Sequence, residues 1–152
     1  MDEWMIIYIG YLMQAAIRAG TPLLLATLGE VYAERSGVLN LGVEGMMIMG
    51  AISSYVVAYI TRNPWLGVIA AIIVGTLFAL IHAFISISLR ANQIVSGLAL
   101  TMLGLGVSAV IGKAYIGTTI QQIAFSPIAI PILSEIPIIG IGLFTADPIA
   151  YI

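Results

Sequence analysis

The chain alternates between long uncharged stretches and short segments that hold almost all of its charges. A transmembrane helix needs about 20 mostly apolar residues, because the hydrocarbon core is about 30 Å thick and each residue rises about 1.5 Å. Stretches of that kind cover roughly residues 39–61, 64–89 and 92–112, and a less uniform one covers roughly residues 4–34. The pattern predicts an all-α, polytopic transmembrane helix bundle with about four complete spans and the start of another.

The first predicted span is interrupted by Arg18 and, shortly afterwards, by Thr21-Pro22. Thr21 could cap a new helix whose first residue is Pro22, since both residues are favoured at those positions. A proline inside one continuous helix would instead kink it. We favour one long kinked helix over two separate pieces.

Residues 113–146 differ from the rest of the chain, because Pro127, Pro131 and Pro137 lie there among isoleucines. Proline at this density prevents a regular spanning helix. We therefore expect a long loop that lies on the membrane surface or dips partly into it. Asp147-Pro148 is typical of a cap and first turn, so the next helix is predicted to begin at residue 147, close to the end of the chain. We interpret the chain as the N-terminal part of a longer protein; alternatively, its last residues are a short tail.

Small residues recur at four-residue spacing along the third predicted helix. Such a stripe lets helix backbones approach closely in lipid, where close packing replaces the hydrophobic driving force. The alternative is chance, because Gly and Ala are common in membrane spans. The predicted packing residues are Gly67, Ala71, Gly75, Ala79 and Ala83, and a shorter stripe in the next helix consists of Gly104, Ser108 and Gly112.

The segment between the first two predicted helices is unusually polar. It holds Glu30, Glu34 and Arg35, then the turn-forming pair Ser36-Gly37. A charge at the centre of a bilayer costs several kcal/mol, so such groups pair with one another or face water. The pattern is typical of a discontinuous helix beside a polar cavity. The alternative is a solvated loop in which Glu34 and Arg35 are exposed.

Polar residues in or beside the predicted spans are the candidates for a substrate pathway: Asn40, Glu44, His82, Asn92, Gln93 and Ser96. Asn40 and Asn92 also fit the N-cap positions of the helices that follow them. Glycines at positions 42 and 45 would thin the second helix for close approach. A lone His in a membrane helix more often forms a hydrogen bond with a neighbouring helix than takes part in chemistry. The hydroxyl of Thr101 is expected to form a hydrogen bond with the backbone of its own helix.

The composition narrows the class of protein further. Apolar residues make up 61% of the 152 residues and charged residues 8%, against about 45–50% and about 25% in soluble domains. Five Lys and Arg residues against seven Asp and Glu leave no basic face for nucleic acid. With no Cys, one His and no nucleophile–base pair, we expect no metal site, no cofactor and no catalytic residue. A loose phosphate-loop pattern around Lys113 fails because Ala114 replaces the needed hydroxyl.

Three stretches carry a resemblance to a known family. Residues 21–26 (TPLLLA), 34–47 (ERSGVLNLGVEGMM) and 91–97 (ANQIVSG) resemble the inner-membrane permease subunits of ABC importers. The branch is that of the branched-chain amino acid, ribose and nucleoside permeases, and the nucleoside and simple-sugar subgroup is most similar. The resemblance runs from about residue 11 to residue 117, and family permeases are roughly twice as long as this chain.

The resemblance implies a function and a set of partners. Two permease subunits would form the translocation pathway by alternating access, separate ATPase subunits would drive it, and an extracytoplasmic solute-binding protein would deliver nucleosides or simple sugars. The turns near Arg35 and Arg90 would then be cytoplasmic, and residues 113–146 would face outside. Two alternatives remain open: a non-transporting membrane scaffold subunit, and half of a secondary transporter or channel.

Overall fold

The computed structural model describes residues 3–118 and 124–151, which fold into two compact units. One unit contains residues 28–124. The other combines the start of the chain, up to residue 27, with the segment that begins at residue 125. The first helix contributes to both units, and each unit is described by itself below.

Helix α1 runs without interruption from Glu3 to Arg35 and contains Pro22. The hydroxyl of Thr21 donates to the carbonyl of Ile17 at 2.8 Å, which is a bond made inside a helix and not at its start. The prediction of one long helix is confirmed, and the alternative of two pieces is wrong. The helix ends at a turn in which Gly37 has φ +84°, a conformation that glycine adopts without strain.

Three further long helices follow in residues 28–124. Helix α2 spans Val43–Thr61, α3 spans Pro64–Ala83 and continues as a π-helical turn over Phe84–Ser88, and α4 spans Gln93–Lys113. The side chain of Asn63 caps α3 by accepting from the N–H of Trp65 at 2.9 Å, and Pro64 occupies the first turn. All three are long and apolar enough to cross a membrane, which confirms a polytopic helical bundle.

The number of such helices among the described residues is three, against about four predicted spans. Helix α1 accounts for the difference. Its 33 residues are sufficient in length, but Gln14, Arg18 and Thr21 lie in its middle and make it less apolar than the others. By length and composition alone, α1 is therefore distinct from the three helices of the bundle.

Helix α2 packs against both α3 and α4. Its Met49 and Ala58 are buried together with Leu100 of α4, yet large side chains such as Met102 and Val110 are about three-quarters exposed. An apolar surface of this extent is expected where helices face lipid or further protein.

The α2–α4 contact is a contact of backbones. A Cβ atom built on Gly104 would lie 2.7 Å from the carbonyl oxygen of Gly45, and one on Gly45 would lie 2.6 Å from the carbonyl oxygen of Leu100. On the other side of α2, a Cβ on Gly67 of α3 would lie 2.8 Å from the carbonyl oxygen of Ser54. Farther along the α3 stripe, Gly75 has no such neighbour within 4 Å. Of the two glycines in the predicted stripe, Gly67 makes a close backbone contact and Gly75 makes none with a described residue.

An aromatic cluster joins α2 to the end of α4. The rings of Tyr55 and Tyr59 stack at 6.3 Å, and Tyr115 meets both edge-on at 5.9 and 5.6 Å. The hydroxyl of Tyr55 also donates to the carbonyl of Thr118 at 3.0 Å. Such pairs add stability beyond the area that they bury.

In the other unit, the segment from residue 125 onward packs on the first part of α1. Strand β1, Ile128–Ala129, pairs antiparallel with β2, Thr145–Ala146, and the short helix α5, Ile139–Leu143, lies between them with a 3₁₀ turn at Leu133–Glu135. The segment predicted as one loop over residues 113–146 therefore contains short regular elements, and its residues 119–123 lie outside the described residues. From Pro148 to Tyr151 the described chain forms a 3₁₀ turn where the next helix was predicted.

Candidate functional site

Residues 36–42 connect α1 to α2 and are not helical, and side chains from three helices bind their backbone. We call this stretch the 36–42 connection. The side chains around it, the polar cluster, are Glu30, Asn40, His82, Gln93, Ser96 and Thr101. All of them lie in the unit formed by residues 28–124.

Gln93, at the start of α4, binds the connection at two points. Its Oε1 accepts from the N–H of Leu39 at 2.7 Å, and its Nε2 donates to the carbonyl of Gly37 at 3.3 Å. The neighbouring Asn92 caps α4 by accepting from the N–H groups of Ile94 and Val95, at 3.0 and 3.2 Å. The cap predicted for Asn92 is confirmed, and it fixes the helix start from which Gln93 extends.

His82 is 3% exposed and bridges the connection to α4. Its Nε2 lies 3.1 Å from the carbonyl of Leu39, and its Nδ1 lies 3.1 Å from Oγ of Ser96. A carbonyl only accepts, so Nε2 is the donor in the hydrogen bond to Leu39. The π-helical turn that follows brings the Ser86 hydroxyl to 3.4 Å from Nε2. The hydrogen bond to a neighbouring helix, expected of a lone membrane histidine, is present.

Glu30, Asn40 and Thr101 bind the remaining part of the connection. Oε1 of Glu30 accepts from the N–H of Asn40 at 3.0 Å, and Oγ1 of Thr101 donates to the carbonyl of Leu41 at 2.9 Å. The predicted bond of Thr101 to its own backbone is therefore wrong, because a non-helical carbonyl lies within its reach. Oδ1 of Asn40 accepts from the N–H of Gly42 at 3.0 Å. The prediction of Asn40 as N-cap of α2 is also wrong, because the cap residue is Gly42 and Asn40 instead closes a turn before it.

These bonds pair three backbone N–H groups and three carbonyls of the connection with side chains. A backbone polar group left unpaired in a membrane costs several kcal/mol, so non-helical backbone persists there only where protein or a water-filled cavity binds it. The polar cluster therefore satisfies the backbone of an irregular connection between α1 and α2.

The backbone of α4 lies very close to that of the 36–42 connection, which allows the side chains of α4 to reach it. A Cβ atom built on Gly97 would lie 2.8 Å from the backbone nitrogen of Leu41 and 2.9 Å from that of Gly42. The start of α4 is therefore seated directly against the connection. Any side chain at position 97 would push α4 away from the connection. The hydrogen bonds that Gln93 and Thr101 make with the connection would then lengthen or break.

Two carboxylates near the 36–42 connection have oxygens that no described residue binds: one belongs to the polar cluster, Glu30, and the other, Glu44, lies outside it. One oxygen of Glu30, Oε2, is buried and has no hydrogen-bond partner among the described residues. Glu44, in the first turn of α2, is exposed, and its carboxylate makes no ion pair or hydrogen bond with any described residue. Glu34 and Arg35 are both exposed at the end of α1, as in the solvated-loop interpretation.

Sequence patterns did not identify every member of this site. Gly97, Thr101, Gly104 and Ser108 follow one another at spacings of four, three and four residues, so extending the predicted α4 stripe upstream would have found the first two. The sequence gave no indication of the π-helical turn, because its residues, FISIS, are ordinary for a membrane helix. Within residues 3–118 and 124–151, no group of three or more His, Cys, Asp or Glu could hold a metal ion.

Comparison with known proteins gives one family model and several relatives, and both name transport permeases. Residues 12–146 match the family model described as "Branched-chain amino acid transport system / permease component". No solved structure shows a significant match to the chain.

Three relatives are named as permeases. "Putative glucose ABC transporter permease protein TsgC13" of Haloferax volcanii is 43% identical over 144 residues, covering 93% of this chain and 44% of the relative. "Guanosine ABC transporter permease protein NupQ" of Bacillus subtilis is 41% identical, covering 85% and 43%. "Nucleoside ABC transporter permease protein NupC" of Lactococcus lactis is 34% identical, covering 82% and 42%. The chain spans less than half the length of each.

Proposed function

Because this chain belongs to the family of branched-chain amino acid transport system / permease components, we propose that it forms part of the translocation pathway of an ATP-driven importer. The names of the relatives, which specify glucose, guanosine and nucleosides, favour nucleosides or simple sugars as substrates. Since the chain spans less than half of these relatives, the pathway would be completed by further permease sequence. The chain would act in the cell membrane as a multi-pass protein.

The observation that carries the proposal is the 36–42 connection. Transporters place irregular backbone beside their substrate sites, where it lines a cavity and has its polar groups bound by the protein. The connection shares two features with such sites: its backbone is non-helical, and bonds from Gln93, His82 and Thr101 hold that backbone.

The predicted pathway residues would divide into two roles. Asn40, His82, Gln93 and Ser96 would position the connection, and Asn92 would set the start of α4. Glu44 would contact substrate or the water around it, because its exposed carboxylate at a helix start is not engaged by the described residues. The buried Oε2 of Glu30 is a second acceptor that a passing donor group could use.

We further propose that ATP is hydrolysed on separate ATPase subunits, which fits the lack of a nucleophile–base pair and of a complete phosphate-loop pattern in these 152 residues. A second permease subunit and an extracytoplasmic solute-binding protein would complete the assembly. ATP-driven closure of the ATPases would then rock groups of helices and alternate access to the polar cluster.

Uptake of labelled guanosine and glucose by the complete transporter in a deletion strain tests the proposal. Glu44→Gln keeps the shape of the side chain and removes its charge, so uptake should fall about tenfold or more if the carboxylate bonds substrate directly. Glu34→Gln is the matched control, since that carboxylate is exposed at the end of α1. Equal uptake by Glu44→Gln and wild type would exclude the pathway role of Glu44.

The energy source that drives uptake distinguishes an ATP-driven importer from a secondary transporter. Depletion of ATP with the proton gradient intact should abolish uptake. Uptake that follows the proton gradient would support the secondary transporter, and a transporter that takes up neither substrate would support the scaffold.

A further inference from the structure

An ion pair and a small cavity lie in the unit formed by the first part of α1 and residues 125–151. Nη2 of Arg18 donates to Oδ1 of Asp147 at 3.0 Å, and the Gln14 side chain donates to the carbonyl of Thr145. Because Gln14 and Arg18 are four residues apart, they project from one face of α1 toward the same segment. A cavity of about 200 Å³ adjoins the pair, lined by Arg18, Thr21, Pro22, Phe125, Asp147, Ile149 and Ala150.

Stability does not account for the ion pair. The Arg18 side chain is 47% exposed and that of Asp147 27% exposed, and an ion pair in such surroundings contributes about 0–1 kcal/mol. Arg18 lies near the middle of α1 and Asp147 directly after β2, and a charge at membrane depth carries a substantial cost. Ionisable groups that persist at such positions commonly serve a pathway or a binding site.

We propose that this cavity binds the hydroxyl groups of a single sugar ring, either a free sugar or the ribose of a nucleoside. The inference rests on the function proposed above and adds to it the part of the substrate that this chain recognises. Its basis is the combination of a charged pair, an apolar wall and a small volume in one cavity.

The polar groups match hydroxyls better than they match ions. A guanidinium only donates and a carboxylate only accepts, so adjacent hydroxyls, which do both, can bond Arg18 and Asp147 together. Because the two charges neutralise one another, the cavity favours a neutral ligand over a phosphate or an amine. Thr21 uses its hydroxyl proton on Ile17, which leaves the oxygen as an acceptor.

Pro22 also lines this cavity, and it leaves one helix carbonyl without its usual donor. A proline has no N–H, so the carbonyl of Arg18 lacks the donor that a residue at position 22 would normally supply. The opposite lining is apolar, with Phe125, Ile149 and Ala150. Sugar rings present hydroxyls at their edge and C–H groups on their face, and this lining provides a surface for each.

The volume restricts the ligand to about one ring. Drug-sized ligands occupy pockets of about 300–1,000 Å³, and one water has a share of about 30 Å³ in the liquid. A cavity of about 200 Å³ lies below that range, so we expect it to take a single ring and not a whole nucleoside. The base of a nucleoside would extend outside it.

A comparison of matched substrates tests the proposal in the complete transporter. Uptake efficiency is measured for guanosine and 2′,3′-dideoxyguanosine, and for glucose and 2-deoxyglucose, in wild type and Asp147→Asn. Any partner subunit contributes equally to both proteins, so the change in preference reports on this chain. Hydrogen bonds to a charged group correspond to about 10- to 100-fold in binding, and the preference for the hydroxylated substrate should fall by that factor in Asp147→Asn.

Two further variants make the result decisive. Thr21→Val keeps the volume and removes the acceptor, so it should reduce the same preference even if Asp147→Asn fails to assemble. Glu135→Gln makes the same acid-to-amide change in the exposed 3₁₀ turn and should leave the preference unchanged.

The possible outcomes separate this proposal from the proposed function. If the variants lower uptake of both substrates in equal proportion, or leave the preference unchanged, the ion pair is structural and the sugar site is overturned while the importer stands. If wild type takes up none of the four compounds, the proposed function itself fails.

Discussion

Replacing Gly104 with Ala should destabilise the bundle, because α2 and α4 touch through their backbones there. The new Cβ would lie 2.7 Å from the carbonyl oxygen of Gly45 and 2.8 Å from its Cα, and neither atom belongs to a side chain that can rotate away. Ordinary contact begins at 3.4 Å, so the two helices must separate locally by about 0.7 Å. Overpacking of this kind costs about 1–3 kcal/mol.

Gly106, two residues along the same helix, provides the matched control. A Cβ built there has nothing within 4 Å, so Gly106→Ala changes only helix propensity, which favours Ala over Gly by up to about 1 kcal/mol. The same propensity gain applies to Gly104→Ala, so the two variants should differ by the overpacking cost alone, about 1–3 kcal/mol in free energy of unfolding. The measurement is unfolding of the purified protein in mixed micelles with increasing SDS, followed by circular dichroism. Equal midpoints for both variants would show that the α2–α4 contact is not a tight backbone contact.

Three further variants test the polar cluster and the aromatic cluster. Gln93→Leu removes two exposed hydrogen bonds, to the N–H of Leu39 and the carbonyl of Gly37, so it should cost about 0.5–1.5 kcal/mol and speed hydrogen exchange at the Leu39 amide. Ser108→Ala, farther along the same helix, should not alter that exchange. His82→Phe keeps a ring but removes the donor to Leu39, so it should lower the free energy of unfolding by about 1–3 kcal/mol. His82→Gln should recover part of that loss, because its amide can donate. Identical stability of the two variants would contradict the hydrogen bond from His82 to Leu39. Tyr55→Phe removes only the hydroxyl that bonds Thr118, so the expected loss is about 1 kcal/mol in the same SDS titration, and no loss would mean that the bond is replaced by water.

Local features of the fold followed from the sequence because they depend on neighbouring residues. Asn92 before Gln93 was predicted as an N-cap, and its side chain caps α4. Pro22 lies within α1, where apolar residues on both sides maintain the helix. Gly45 was expected to permit close approach, and it meets the backbone of α4.

The candidate site was predicted only in part, because its bonds join distant segments of the chain. Asn40 and Thr101 each have a local partner that propensity favours, yet Thr101 bonds Leu41, 60 residues away. Arg18 and Asp147 are 129 residues apart, and no periodicity links them. Pattern reasoning identifies which residues are unusual in an apolar chain, and the fold decides which of them meet.

The π-helical turn at Phe84–Ser88 also fixes the length of the chain at this point. A π turn contains one residue more than the α-helical turn it replaces, so deleting a single residue there would restore regular α-helix. The end of the helix would then point about 100° away from its present direction, since an α-helix has about 3.6 residues per turn, and residues 89–92, which join it to α4, would have to follow. Asn92 and Gln93 would leave their positions, and the 36–42 connection would lose its partners. We therefore expect natural variants of this protein to tolerate substitutions within residues 84–88 far more readily than insertions or deletions.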